Sequence, residues 1–237
     1  MSATPPEAIR ILHRDRRCVV VDKPAGVATH RGWAHDDEDP LLQRVRDAVD
    51  AWVYPIHRLD RGASGVVLFA LDQDAARAFT DAWMGHDVDK RYLAITRGHP
   101  PPHALIDHPI PRAPGEERVP AQTEIWTVET FGRYALVEAR PLTGRLHQIR
   151  RHLKHLSCPL IGDVNYGKGE HNRIFRTEHN LHRLALHARA LKLPHPDGGM
   201  LEVEAPLAPD MEEALARCRR AYGAASGSSA GGGPPQE

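Results

Sequence analysis

Asp60 stands between Arg58 and Arg61 in the segment HRLDRGASGVVLFA (residues 57–70), where polar and charged side chains around one leucine lead into an apolar run. A carboxylate in that setting can serve as a nucleophile, as a general base, or as the ion-pair partner of either arginine. Gly62, Ala63, Ser64 and Gly65 are small enough for a tight turn that presents the preceding side chains into a cleft. The run Gly65–Leu71 has the length and composition of a fully buried strand. On this segment alone the ion-pair reading and the catalytic reading both stay open.

A second chemically loaded stretch is LTGRLHQIRRHLKHLSCPLIGDVNYG (residues 142–167). Arg145, His147, Arg150, Arg151, His152, Lys154 and His155 decorate one helix and its entry. Between Arg140 and Lys192 eleven lysines and arginines face only Asp163, Glu170 and Glu178. A solvated helix face usually mixes its signs, whereas this excess is the footprint of phosphate binding, so RNA or DNA contact is expected. His147, His152 and His155 lie at i, i+5 and i+8, so only the last two share a helical face. No HExxH or CxxC spacing occurs, and Cys18, Cys158 and Cys218 are far apart. Neither a metal site nor a disulfide framework is expected, and the histidines are expected to bind phosphates, stack on bases or cap carbonyls.

These residues need a scaffold. The chain has 237 residues, 41% hydrophobic and 26% charged, enough for one domain with a proper core. Its 31 basic and 31 acidic residues argue against uniform coating of nucleic acid but allow a local basic groove. No apolar stretch approaches the roughly 18 residues of a membrane span, and the opening MSATPPEAIR has no apolar signal region. A cytoplasmic protein without a membrane partner is expected. Residues 1–8 read as a flexible leader, 9–222 as the folded domain, and 223–237, GAASGSSAGGGPPQE, as a disordered tail.

Strands are expected at Cys18–Asp22, Gly65–Leu71, Arg91–Thr96, Gln122–Thr130, Tyr134–Arg140, Leu184–Leu193 and Leu201–Glu204. Helices are expected at Pro40–Val49, at Asp72–Trp83 with Asp72 as N-cap, at Leu146–Leu156 and at Pro209–Tyr222. The Pro- and His-rich stretch 98–120 reads mostly as loop, and 163–182 as another loop that helps choose the substrate. The sum is an α+β fold with a mainly antiparallel mixed sheet and flanking helices.

Four segments in this order, VVVDKPAG (19–26), HRLDRGASGVVLFA (57–70), KRYLAITRG (90–98) and TGRLHQIRRHL followed by CPLIGDVNYG (143–167), resemble the RluA-type pseudouridine synthase family over residues 9–205. THRGW (29–33), GKGEHNR (167–173) and LALHARALKLPHP (184–196) resemble most a branch that modifies one uridine on the T-stem side of tRNA. The resemblance implies the pseudouridine synthase catalytic fold with a central RNA-binding cleft, here without the family's optional S4 domain. It implies that Asp60 is the catalytic aspartate and that Arg58 enters the RNA and helps displace the target base. Tyr92 would stack under the flipped uracil, and Arg150 would pair with the catalytic carboxylate and fix its rotamer. Arg61, Arg145, His147, Arg151 and Lys154 are the further RNA contacts expected; His30, Arg31 and Trp33 are candidates, Trp33 equally for the core. Lys23 and Pro24 read as structural. Ala63 departs from the family's usual threonine, and losing that hydroxyl is expected to loosen the loop.

The implied reaction breaks the uridine C1′–N1 bond, turns the base and joins C1′ to C5. It is an isomerisation that needs no cofactor, and no P-loop or Rossmann fingerprint is present. Asp60 would either attack C1′ or remove the C2′ proton, and Tyr92 is a candidate base for the C5 proton. A tRNA substrate, no required protein partner and a monomer are expected. The rival readings are a sister synthase acting on rRNA or another tRNA position, a noncatalytic RNA-binding protein, and a base-excising glycosylase.

Overall fold

The structure is a computed structural model and describes residues 9–30, 39–85, 87–113, 115–223 and 225–226. The expected leader, the candidates Arg31 and Trp33, and most of the expected tail lie outside the described residues. In chain order the elements are β1 (Arg10–Arg14), β2 (Cys18–Lys23), α1 (Leu41–Val49), β3 (Tyr54–Pro55), β4 (Ser64–Ala70), α2 (Gln73–Met84) and β5 (Asp89–Arg97). There follow β6 (His103–Asp107), β7 (Ile110–Pro111), β8 (Arg118–Val119), β9 (Gln122–Phe131), β10 (Tyr134–Pro141), α3 (Gln148–His155) and α4 (Gly169–Glu178). The chain ends with β11 (Leu186–Pro194), β12 (Met200–Glu204), α5 (Pro209–Tyr222) and β13 (Ala225–Ser226). This is the expected α+β architecture.

The chain forms two compact units, Met1–Val88 with Ala190–Ala205, and Asp89–Arg189 with Pro206–Glu237. In the first, strands run in the order β1-β2-β4, with β3 on β4 and β12 on the Ala190–Pro194 part of β11. Every residue of β4 is buried, as its unbroken apolar run requires. Its antiparallel pairing with β2 sets Cys18 opposite Ala70 and Lys23 opposite Gly65. The Asp72 carboxylate caps α2 by accepting from the Ala75 N–H at 2.8 Å. Ala75 and Phe79, one turn apart, then pack on Cys18, Val20, Val66 and Leu68.

In the second unit the order is β11-β5-β10-β9-β13, with β6 on β9. The β9–β10 hairpin turns at the expected glycine and sets Tyr134 opposite Phe131. Its core gathers Leu93, Ile95, Tyr134, Leu136 and Phe175 with Met211 and Leu215 of α5. Helix α5 starts at Pro209, carries Asp210 and Glu212 early and Arg219 and Arg220 late, and so matches its own dipole. Arg183 grips Asp210 through two hydrogen bonds of 2.7 and 2.6 Å.

The two stretches expected to be loops carry structure. Residues 103–107 form β6, antiparallel to β9 with His103 opposite Trp126. They are a proline-free island between Pro102 and Pro109, and only Ile106 is buried. Pairing with a neighbouring strand orders them, which no local pattern announces. Residues 169–178 form α4, whose buried face is His171, Asn172 and Phe175. Two polar residues on the inner face erase the apolar period by which a helix is recognised. Strand β1 was not expected either; its ends are exposed and a bulge interrupts its pairing with β2 between Ile11 and His13.

Candidate active site

In the first unit the segment bearing Asp60 is tied down at almost every residue. Leu68 N–H donates to His57 Nε2 at 3.1 Å, and the His57 ring stacks on Trp83 at 4.4 Å. The Thr29 hydroxyl meets both the N–H and the carbonyl of Leu59, at 3.3 and 3.4 Å. Ala63 N–H closes the turn on the Asp60 carbonyl at 3.0 Å. Gly26 N–H donates to the Arg61 carbonyl at 2.8 Å, and Arg61 Nε donates back to the Gly26 carbonyl at 2.9 Å.

Lys23 is the centre of this clamp. It is 0% exposed at the end of β2. Its Nζ donates to the carbonyls of Pro24 (2.9 Å), Arg61 (3.2 Å) and Ala63 (2.7 Å). An ammonium has three donors, and here three backbone carbonyls take them. The structural reading of Lys23 and Pro24 thus acquires a specific job: they fix the turn that follows Asp60. The anchors described at residue 63 are its backbone N–H and carbonyl, neither of which involves the side chain. Asp60 itself is half-buried, with Arg58 and Arg61 exposed on either side of it.

In the second unit, Tyr92 lies half-buried on β5, opposite Ala139 of β10. Lys90 is on the same face of β5 two residues earlier, and burial pushes its ammonium below the usual lysine value. The strand end is braced by Arg91, which pairs with Asp89 at 3.0 Å and Glu138 at 3.1 Å.

Helix α3 and the turn 162–167 make one polar construction. Arg150 donates from Nε and Nη2 to the two oxygens of Asp163, at 2.7 and 2.9 Å. Their side chains are 8% and 0% exposed. Burial alone would push Asp163 up; the Arg150 fork and the N–H groups of Tyr166 and Asn165 outweigh it and hold the carboxyl below its usual value. Asn172 of α4 closes the turn by accepting from Gly162 N–H at 2.8 Å and donating to the Asp163 carbonyl at 3.0 Å. Gly162, at φ +75°, admits no other residue, since a Cβ would lie 1.9 Å from the Arg183 carbonyl oxygen.

Around this ion pair the expected RNA contacts divide. His147 starts α3 in the left-handed region, φ 54°, and its Nδ1 meets the Tyr166 hydroxyl at 3.2 Å. Arg151 donates to the same hydroxyl at 2.9 Å and to the Pro111 carbonyl at 2.7 Å. Lys154 and Arg145 are exposed, with Arg145 Nε on the Pro120 carbonyl at 3.2 Å. His152 takes the carbonyl-capping role, one of the three expected for the histidines, and takes it in the core: it is 0% exposed, bridges Thr123 and the His108 carbonyl at 2.8 and 2.9 Å, and burial lowers its pKa. His155 stacks on His108 at 3.8 Å. Asp163, Tyr166 and Lys90 went unassigned from sequence, although GDVNYG and KRY display them. A buried carboxylate beside a buried arginine is invisible until the turn is folded.

Comparisons with known proteins agree with this arrangement. The family model for RNA pseudouridylate synthase matches residues 17–155, a span holding Asp60, Tyr92 and Arg150. The tRNA pseudouridine synthase C of Vibrio parahaemolyticus is 36% identical over 213 residues, covering 81% of this chain and 87% of the relative. That of Haemophilus ducreyi is 39% identical over 208 residues, covering 78% and 85%. The solved structure of human RNA Pseudouridylate Synthase Domain Containing 1 superposes with a TM-score of 0.75 at 27% identity, covering 90% of each chain. Its Domain Containing 4 counterpart gives 0.72 at 29% identity, covering 89% and 93%. The order of motifs, the fold and the extent of these matches have one reading: this chain belongs to the RluA-type RNA pseudouridylate synthase family and is a pseudouridine synthase, an isomerase.

Proposed function

We propose that this chain converts one uridine of tRNA, on the T-stem side of the acceptor arm, to pseudouridine. The observation that carries tRNA as the substrate is the name shared by its relatives, tRNA pseudouridine synthase C, at 36% and 39% identity over about four fifths of the chain; the T-stem side rests on the motifs THRGW, GKGEHNR and LALHARALKLPHP alone. The excess of cations from Arg140 to Lys192 supports a polyanionic partner.

A uridine inside a stem must leave the stack, at a cost of a few kcal/mol. Arg58, exposed on its clamped segment, fills the gap and holds phosphate. Tyr92 offers its ring to the extruded base, a stacking contact of about 1–3 kcal/mol. Asp60 acts as a carboxylate. It either attacks C1′ as N1 departs, giving an ester that the turned base displaces through C5, or removes the C2′ proton as N1 departs, giving a glycal whose C1′ bonds to C5 as the proton returns to C2′. Arg150, whose fork holds Asp163, keeps the turn 162–167 rigid. The C5 proton leaves at the end, with Tyr92 as its acceptor. The base stays with the RNA, so no cofactor takes part, and the clamp under Asp60 keeps its position fixed while the base turns.

The test is tritium release from unmodified tRNA carrying [5-³H]uridine, by wild type and Asp60→Ala in parallel, followed by mapping of the modified position. Release that depends on Asp60 and maps to the T-stem side is expected. Release from rRNA fragments but not from tRNA would overturn the substrate. Free uracil as product would overturn the reaction.

A further inference from the structure

The β1–β2 hairpin brings together three side chains that the pseudouridine reaction does not use. Within HRDRRC (13–18) the turn is closed by Asp15 N–H on the Cys18 carbonyl at 3.0 Å. The Asp15 carboxylate divides its work. Oδ1 accepts from the N–H groups of Arg17 and Cys18, at 2.7 and 2.9 Å. Oδ2 faces His13 Nε2 at 2.8 Å and Cys18 Sγ at 3.6 Å. One nitrogen, one oxygen and one sulfur donor thus all lie within 4.8 Å of one another.

We propose that His13, Asp15 and Cys18 form a binding site for a divalent metal ion of the zinc type, remote in role from the isomerisation chemistry. Tetrahedral zinc with bonds of 2.0–2.3 Å sets neighbouring donor atoms about 3.3–3.6 Å apart. The Cys18–Asp15 separation already fits, and the shorter His13–Asp15 contact needs to open by only about half an ångström. A mixed sulfur, nitrogen and oxygen set suits zinc rather than calcium or magnesium, which take oxygen.

Charge balance agrees. A dication held by one carboxylate and one thiolate is neutral, so its partial burial carries little penalty. Arg16 and Arg17, the cations on the same turn, are occupied by Asp197 and Asp72, at 3.0 and 2.9 Å. Cys18 without metal is a thiol, pushed up to about 12 by burial and by Asp15. Binding therefore exchanges a proton for the metal: the Cys18 S–H bond breaks, the Zn–S bond forms, and the proton leaves to solvent.

His195 supplies a second observation. Its Nδ1 accepts from the Asp197 N–H at 3.2 Å, which places the ring proton on Nε2. That Nε2 is buried, lies 3.3 Å from Asp15 Oδ2, and makes no hydrogen bond among the described residues. A donor without an acceptor is costly. A water on the open fourth position of the metal provides the acceptor, so His195 acts as a positioning residue and not as a ligand. From sequence this site is silent, because His-x-Asp-x-x-Cys has neither paired cysteines nor paired histidines.

Cobalt(II) titration of the metal-free full-length protein tests the site without reading tRNA activity. One equivalent of Co²⁺ should produce a thiolate-to-cobalt charge-transfer band. That band should vanish in Cys18→Ser, weaken in affinity by about 100-fold or more in His13→Ala, and persist in Cys158→Ser and Cys218→Ser. Zn²⁺ should displace the cobalt and raise the melting temperature of wild type but not of His13→Ala, whose partly exposed site tolerates truncation. Absence of the band in wild type, or its survival in a folded Cys18→Ser, would reduce the cluster to a thiol–carboxylate hydrogen bond and overturn the proposal.

Discussion

The segment around Asp60 and the turn around Asp163 reach rigidity by different physics. The first is held through its backbone: Lys23, Thr29 and Gly26 satisfy main-chain carbonyls and N–H groups of residues 59–63. These contacts fix the main chain on both sides of the Asp60 carboxylate. The second is held through its carboxylate, which receives a buried arginine fork and two backbone N–H groups. A backbone clamp fixes where a side chain starts, whereas a buried ion pair fixes the carboxylate itself. This difference separates Asp60 from Asp163, two aspartates that each stand close to arginines or glycines in a motif.

The comparison can be broken most sharply at the two carboxylates. Asp60→Asn should lower turnover on the order of 10⁴-fold, the scale of losing a catalytic nucleophile, with a melting temperature close to wild type; tritium release and a thermal scan check both. Asp163→Ala should do the reverse in kind. It leaves Arg150 buried without this partner, so it should cost about 3–5 kcal/mol of stability, read as a shift of the urea midpoint. An Asp60 variant that unfolds, or an Asp163 variant with unchanged stability, would erase the distinction.

Smaller effects sharpen it. Lys23→Met keeps the length of the side chain but removes the donor shared by three backbone carbonyls, an expected loss of about 1–3 kcal/mol. Because the clamp positions Asp60, kcat should fall more than KM changes, and a purely structural lysine would leave their ratio to the folded fraction untouched. The least effect is that of acid. The Asp163 carboxyl is depressed in the folded state, so its contribution to stability is present above the ordinary aspartate value of 3.8 and is lost as pH falls through the lower folded value. Hydrogen exchange in α3 should therefore accelerate below about pH 4 in wild type and much less so in Asp163→Asn, while the Lys23-clamped turn, whose anchors are an ammonium and carbonyls, stays protected over the same range.

Much of this was legible in the linear chain. The apolar run of β4, the Asp72 cap of α2, the turn at the β9–β10 hairpin and the start of α5 at Pro209 were all readable, since each depends on residues within one turn or one strand of each other. So were the motifs that place the chain among the pseudouridine synthases. Other stretches were not readable, because α4 buries His171 and Asn172 where a pattern search needs apolar residues, β6 exists only as a partner of β9, and β1 is exposed at its ends and interrupted by a bulge. Which polar residues serve the fold was also hidden. Lys23 read as structural without a visible partner, and nothing in the sequence set His152 or Asp163 apart from surface groups; each is fully buried and held by partners up to 40 positions away. Local periodicity and residue type determine where elements begin and end, because those forces act within a few residues. Whether a charge is a tool or a brace is decided by burial and by long-range partners, and only the tertiary structure supplies both.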